Sequence, residues 1–165
     1  MIVTLLTYIV RLSIFASMQP SQQLVTNLIT SNARFTRLVR RISGNQASAP
    51  TWRALSILDE HGPLRVSEFA ALDQLSQPSA TTLLRRLEDE GLLTRAADPD
   101  DGRASVLRMT AAGTQELARL RARATDAMRP VLSGLRADQL ELLDAASAIL
   151  SSVLDDAATP PERQR

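Results

Sequence analysis

One stretch constrains the fold of this chain more than any other. Residues 98–103, Asp98-Pro99-Asp100-Asp101-Gly102-Arg103, place five turn-forming residues in six positions. Leu92-Leu93-Thr94-Arg95 precedes them and Ser105-Val106-Leu107-Arg108-Met109 comes after. Apolar and β-branched residues on both sides of a turn cluster predict a two-stranded hairpin. Outside this stretch the apolar residues recur at helical spacing. The expected class is therefore mainly α, with a single small β-hairpin.

The helices can be placed from their periodicity and punctuation. Residues 22–42 carry Leu24, Leu28, Phe35, Leu38 and Ile42 at helical intervals, and Gly44, Asn45 and Pro50 then interrupt the chain. Thr51 is expected to cap a short helix over residues 52–61, which Gly62-Pro63 ends. Residues 64–66 are expected to be extended, and Ser67 to cap a helix carrying Phe69, Ala70 and Leu72. After a short link, Ser76 opens a helix over about 77–90 that stops at Gly91. Pro78 fits there because first-turn amides have no helical acceptor. Past the hairpin, Thr110 caps a long helix with Leu117, Leu120, Ala124, Met128 and Leu132 inward, and a last helix uses Leu140, Leu143, Ala146, Ile149, Leu150 and Val153.

Composition removes several function classes. All 19 cations of the 165 residues are Arg, there is no Cys, and His61 is the one His. A chain without thiols has no disulfide scaffold, no Cys-ligated zinc and no nucleophilic Cys. No Gly-rich phosphate loop or metal-ligand spacing is present, so the chain is not expected to be an enzyme or to hold a cofactor or metal. The net charge of +1 does not identify a partner. Its distribution is uneven: +5 over residues 1–65, −3 over 66–108 and −1 over 109–165.

The helix after Ser76 has two unlike faces. Ala80, Leu83, Leu84 and Leu87 form an apolar stripe at i, i+3, i+4 and i+7. Pro78, Thr81, Thr82, Arg85 and Asp89 lie opposite, with Ser79 and Arg86 on the shoulder. Small hydroxyl residues let a helix approach a major groove closely, and arginines reach guanine edges or phosphates. Next in the chain is a hairpin with Arg103 at its tip, where it can enter a minor groove of concentrated negative potential. Asp98 and Asp101 are expected to orient Arg103 or Arg95, or to form the turn. The order of elements is that of a winged helix-turn-helix. Its candidate double-stranded DNA contacts are Ser76, Gln77, Pro78, Ser79, Thr81, Thr82, Arg85, Arg86, Arg95 and Arg103.

Two stretches resemble the MarR family (multiple-antibiotic-resistance regulators) of bacterial transcription factors. Residues 66–91, VSEFAALDQLSQPSATTLLRRLEDEG, are similar to its helix-turn-helix. Residues 98–113, DPDDGRASVLRMTAAG, are similar to its wing, with Asp98, Asp101 and Arg103 matching an Asp-x-x-Asp-x-Arg pattern. The resemblance spans about residues 21–155. Gln74 departs from it by standing where many helix-turn-helix units have Gly, and a side chain in a left-handed turn costs on the order of 1 kcal/mol. The lack of Cys sets the chain apart from the family's peroxide-sensing branch.

The resemblance implies a cytoplasmic, ligand-responsive repressor that binds an inverted-repeat operator as a homodimer, with small aromatic or phenolic effectors in a cleft walled by Phe35, Trp52, Leu55 and Met109. The terminal helices support the dimer independently, being more apolar than isolated surface helices need to be; the alternative is that these stripes close one monomeric core. A domain over 21–156 is expected, with its winged helix-turn-helix at about 51–110 and dimerisation helices at 21–43 and 111–156. Residues 1–20 are expected to be an extension, read as an added amphipathic helix, an interfacial helix or sequence upstream of a start at Met18; Arg11 interrupts its apolar run, so no transmembrane helix is expected. A disordered tail is expected over 157–165. The other function considered is a winged-helix module that binds a protein instead of DNA, which the −3 charge of residues 66–108 favours.

Overall fold

The computed structural model describes residues 19–45, 48–98 and 104–158. The expected extension before residue 19, residues 46–47, the expected turn residues 99–103 and the expected tail beyond 158 lie outside the described residues. The elements are α1 (Gln22–Ile42), α2 (Ala49–His61), α3 (Val66–Leu72), α4 (Gln77–Asp89), β1 (Leu93–Ala97), β2 (Ser105–Met109), α5 (Ala111–Leu132) and α6 (Ala137–Ala158). The chain is thus mainly helical with one antiparallel hairpin, as its periodicity predicts. Leu93 pairs with Met109 and Ala97 with Ser105. Leu64 adds a single bridge to Leu107 on the free edge of β2, with N–H···O distances of 2.8 and 3.2 Å.

The core lies where α2, α3, α4, the hairpin and the first half of α5 meet. Leu55, Phe69, Leu84, Leu87, Leu107 and Leu117 are fully enclosed there. Burying each such side chain contributes about 1.5–3 kcal/mol relative to leaving it in water. The α5 N-terminus is locked onto the base of the hairpin. Thr110 accepts from the Gly113 N–H and donates to the Gly91 and Leu92 carbonyls at 2.7 and 3.1 Å. A Cβ on Gly113 would stand 2.3 Å from the Leu92 oxygen and 2.7 Å from Met109 Cγ, so only glycine allows this approach.

Three local expectations need correction. Thr51 does not cap α2: the helix begins at Ala49 with Pro50 in its first turn, and Thr51 is buried inside it. Pro50 reads as a breaker in the sequence but serves as a helix starter, because an amide in the first turn lacks an acceptor anyway. Ser67 does not cap α3, which already starts at Val66; Glu68 reaches back to the Arg65 N–H at 2.7 Å. Residues 157–158, expected in a disordered tail, instead complete α6. Ser76, by contrast, caps α4 as its position predicts.

The terminal helices differ from the core. No residue of α1 is buried, and Ile29 is 67% exposed. In α6, Leu142 is 70% exposed, and Leu140, Leu143, Ile149, Val153 and Leu154 are exposed too. α1 packs on α5, whereas α6 packs extensively on no other described element. The inward stripe expected for α6 therefore has no cover within one chain. No helix among the described residues is long and apolar enough to cross a membrane.

Candidate nucleic-acid interface

The exposed face of α4 is built by its own first turn. Ser76 Oγ accepts from the Ser79 N–H at 3.4 Å and shares a hydrogen bond with Ser79 Oγ at 2.9 Å. One orphan amide of the helix start is thereby satisfied. Thr81 Oγ1 donates to the Gln77 carbonyl at 2.8 Å, and Thr82 Oγ1 donates to the Pro78 carbonyl at 3.0 Å. These bonds spend the hydroxyl protons inside the helix. Each threonine keeps an accepting oxygen and a methyl group, which suit base amino groups and thymine methyls respectively.

Gln77, Pro78, Ser79, Thr82 and Arg85 are exposed and Thr81 is half-buried. Arg85 forms no ion pair or side-chain hydrogen bond among the described residues, so its guanidinium is available to a ligand. The apolar stripe behaves as predicted: Ala80, Leu84 and Leu87 are buried, and Leu83 packs on the core.

Two of the other predicted cations, Arg86 and Arg95, are engaged. Arg86 Nη2 donates to Thr51 Oγ1 at 3.0 Å, and its Nε lies 3.4 Å from Glu90 Oε1. Arg95 grips Glu88, with Nε 2.8 Å from Oε1 and Nη2 3.0 Å from Oε2. Asp98 does not orient Arg95; it is buried and pairs with Arg65, whose Nε donates to Oδ2 at 2.6 Å. This pair ties the start of α3 to the end of β1. Arg103 and Asp101 lie outside the described residues.

The predicted effector residues separate into two groups. Phe35 and Trp52 both line cavities at the junction of α1, α2 and α5. They share a groove of about 800 Å³ with Val39, Met128 and Leu140, and a second cavity of about 380 Å³ with Asn45, Arg40 and Arg53. Leu55 lies wholly in the core and Met109 packs against that core, so neither lines these spaces. Asn45 is a structural residue that the sequence shows only as a chain interrupter. It is completely buried, and its Nδ2 donates to the Leu120 carbonyl at 3.2 Å, holding the α1–α2 loop to α5. Nothing in local spacing links residue 45 to residue 120.

Comparison with known proteins places this geometry. The MarR family model matches residues 47–105, which run from the start of α2 into β2. The HTH-type transcriptional repressor IacR of Pseudomonas putida is 29% identical over 108 residues, 66% of this chain. The match spans 63% of that repressor's length. A solved structure of a probable transcriptional regulator from Pseudomonas aeruginosa is 31% identical, with a TM-score of 0.52, and the match covers 78% of this chain and 97% of that one. A MarR family protein from Bacillus stearothermophilus has the same fold at 20% identity, with a TM-score of 0.64 and coverage of 83% and 99%.

Proposed function

This chain belongs to the MarR family of transcriptional regulators, and from that premise we propose that it is a ligand-responsive repressor that binds an inverted-repeat operator as a homodimer. It is a DNA-binding regulator and not an enzyme. The observation that carries the finer reading is the outward face of α4. Ser79, Thr82 and Arg85 stand exposed on a helix whose opposite side is locked into the core. A rigid helix with small polar residues and an uncommitted arginine suits a major groove. The wing Arg103 is proposed for the neighbouring minor groove.

The homodimer is supported by the open apolar faces of α1 and α6. Exposed leucines and isoleucines along two whole helices exceed what a monomer ordinarily leaves in water. A two-fold pair would present two α4 helices about one DNA turn apart, which matches an inverted repeat. The Phe35–Trp52 groove is proposed to take a small aromatic effector. Its occupancy would shift the separation of the two α4 helices, and a coupling of about 1–3 kcal/mol suffices to release DNA. A cytoplasmic location fits this role.

The test is binding of the full chain to a DNA fragment from upstream of its own coding region, at two salt concentrations. Specific binding that weakens steeply with salt, and that Arg85→Ala and Arg103→Ala each reduce, is expected. Failure to bind that fragment or any duplex selected from a random pool would favour the protein-interaction module instead.

A further inference from the structure

The helix-turn-helix turn is anchored on both sides by one turn of another helix. Thr51 and Arg53 both belong to the first turn and a half of α2. Thr51 is buried and accepts from Arg86 of α4. Arg53 forms an ion pair with Asp73, whose side chain is 1% exposed. Asp73 is the C-cap of α3 and immediately precedes Gln74, the left-handed residue of the turn, at φ 52°. One tie therefore holds the residue before the turn, and the other holds the helix after it. Between them in sequence sits Trp52, which faces the Phe35 groove.

Packing does not replace these ties at this edge. A cleft of about 550 Å³ separates the start of α2 from α4, lined by Pro50, Arg53, Leu75, Pro78, Ser79 and Arg86 among others. The apolar side of α4 is fixed in the core, but the edge toward α2 is spanned by polar contacts.

We propose that Arg86 and Arg53 are positioning residues that fasten the turn and the reading helix α4 to the first turn of α2, so that displacement of Trp52 is transmitted to the DNA-contacting face. Arg86, half exposed on the flank of α4, then supports the interface from its side and does not touch DNA. The inference rests on α4 being the reading helix, and its test separates the two ideas.

The full-length protein is used with a duplex selected by the wild type from a random pool. Thr51→Val removes the acceptor at nearly constant volume, and Arg86→Met removes the donor. Each is expected to weaken binding about tenfold, and the double variant to be no weaker than the weaker single one. The slope of log affinity against log salt stays at the wild-type value, and Thr51→Ser binds as wild type. If Arg86→Met flattens that slope by about one while Thr51→Val binds normally, Arg86 is a phosphate contact and the proposal fails. It also fails if neither variant changes affinity.

A second readout needs no DNA. Thr51→Val is expected to speed amide exchange across residues 74–82 by about fivefold or more, with the core amides of α5 unchanged. Unaltered exchange there overturns the proposal. A wild-type protein that selects no duplex counts against the regulator reading, and the exchange measurement still decides the tie.

Discussion

The two ends of this molecule bury their leucines in different ways. The lobe from α2 to the first half of α5 closes on itself, with Phe69, Leu84, Leu107 and Leu117 fully enclosed. The helices α1 and α6 are as regularly patterned, yet Ile29 and Leu142 face outward. Periodicity records that a stripe is to be covered. It does not record whether the cover comes from the same chain. The difference is what supports the proposed homodimer.

The sharpest way to break this contrast is a truncation inside the closed lobe. Phe69→Ala is expected to cost about 3–5 kcal/mol in urea unfolding, because the rigid surroundings of a fully buried ring cannot fill the gap. A loss below about 1 kcal/mol would mean that this core is not the tight unit described. The matching change at the open helices is Leu28→Glu with Ile149→Glu. Both residues are exposed, so the lobe should stay folded. The proposed dimer should weaken at least about 100-fold, since carboxylates would be buried without partners. Sedimentation equilibrium reads this directly. An unchanged sedimentation mass would place the interface elsewhere.

Much of the closed lobe is legible from the residues. The α4 stripe, its Ser76 cap and the hairpin follow from spacing and turn chemistry within a few residues. Spacing does not reveal where polar side chains find partners across the fold. Arg86 reaches Thr51 over 35 positions, and Arg65 reaches Asp98 over 33. Local pattern reads Arg86 as a DNA contact and the wing aspartate as a partner within the hairpin, and gives Arg65 no role. Pro50 misleads for another reason: the same residue ends one helix or begins the next. Of the residues expected to wall an effector cleft, Phe35 and Trp52 line one groove, while Leu55 is consumed by the core. Residue type alone does not separate a lining side chain from a buried one.

Gln74 sharpens the comparison on the closed side. Its departure from glycine is visible in the sequence, and the backbone gives the outcome. With φ at 52°, the turn keeps its left-handed form and a bulky residue bears it. Gln74→Gly relieves this strain but frees the unfolded chain. The net expectation is a gain of about 0.5–1 kcal/mol, read as a raised urea midpoint at constant m-value. A loss of stability would mean that the Gln74 side chain contributes contacts that outweigh the strain.

The smallest effect compares one carboxylate from each region. On α5, the Arg119 hydrogen bond holds Glu116 below the usual carboxylate range, despite an opposing push from burial, and Glu116 in turn raises Arg119. At the start of α6, Arg136 lowers Asp138 in the same way through a 2.7 Å contact. A carboxyl whose folded pKa lies below its unfolded value adds stability that is complete above the unfolded value. That stability is lost as pH falls through the folded one. For the exposed i, i+3 pair on α5 solvent screening keeps this contribution small. Arg119→Ala should therefore destabilise slightly at neutral pH and have no effect once Glu116 is protonated in both states. Carboxyl NMR titration should show Glu116 moving up in Arg119→Ala while Asp138 stays low. The two ion pairs are then electrostatically independent. A common movement of both signals would show instead that the helices α5 and α6 share a field across their junction.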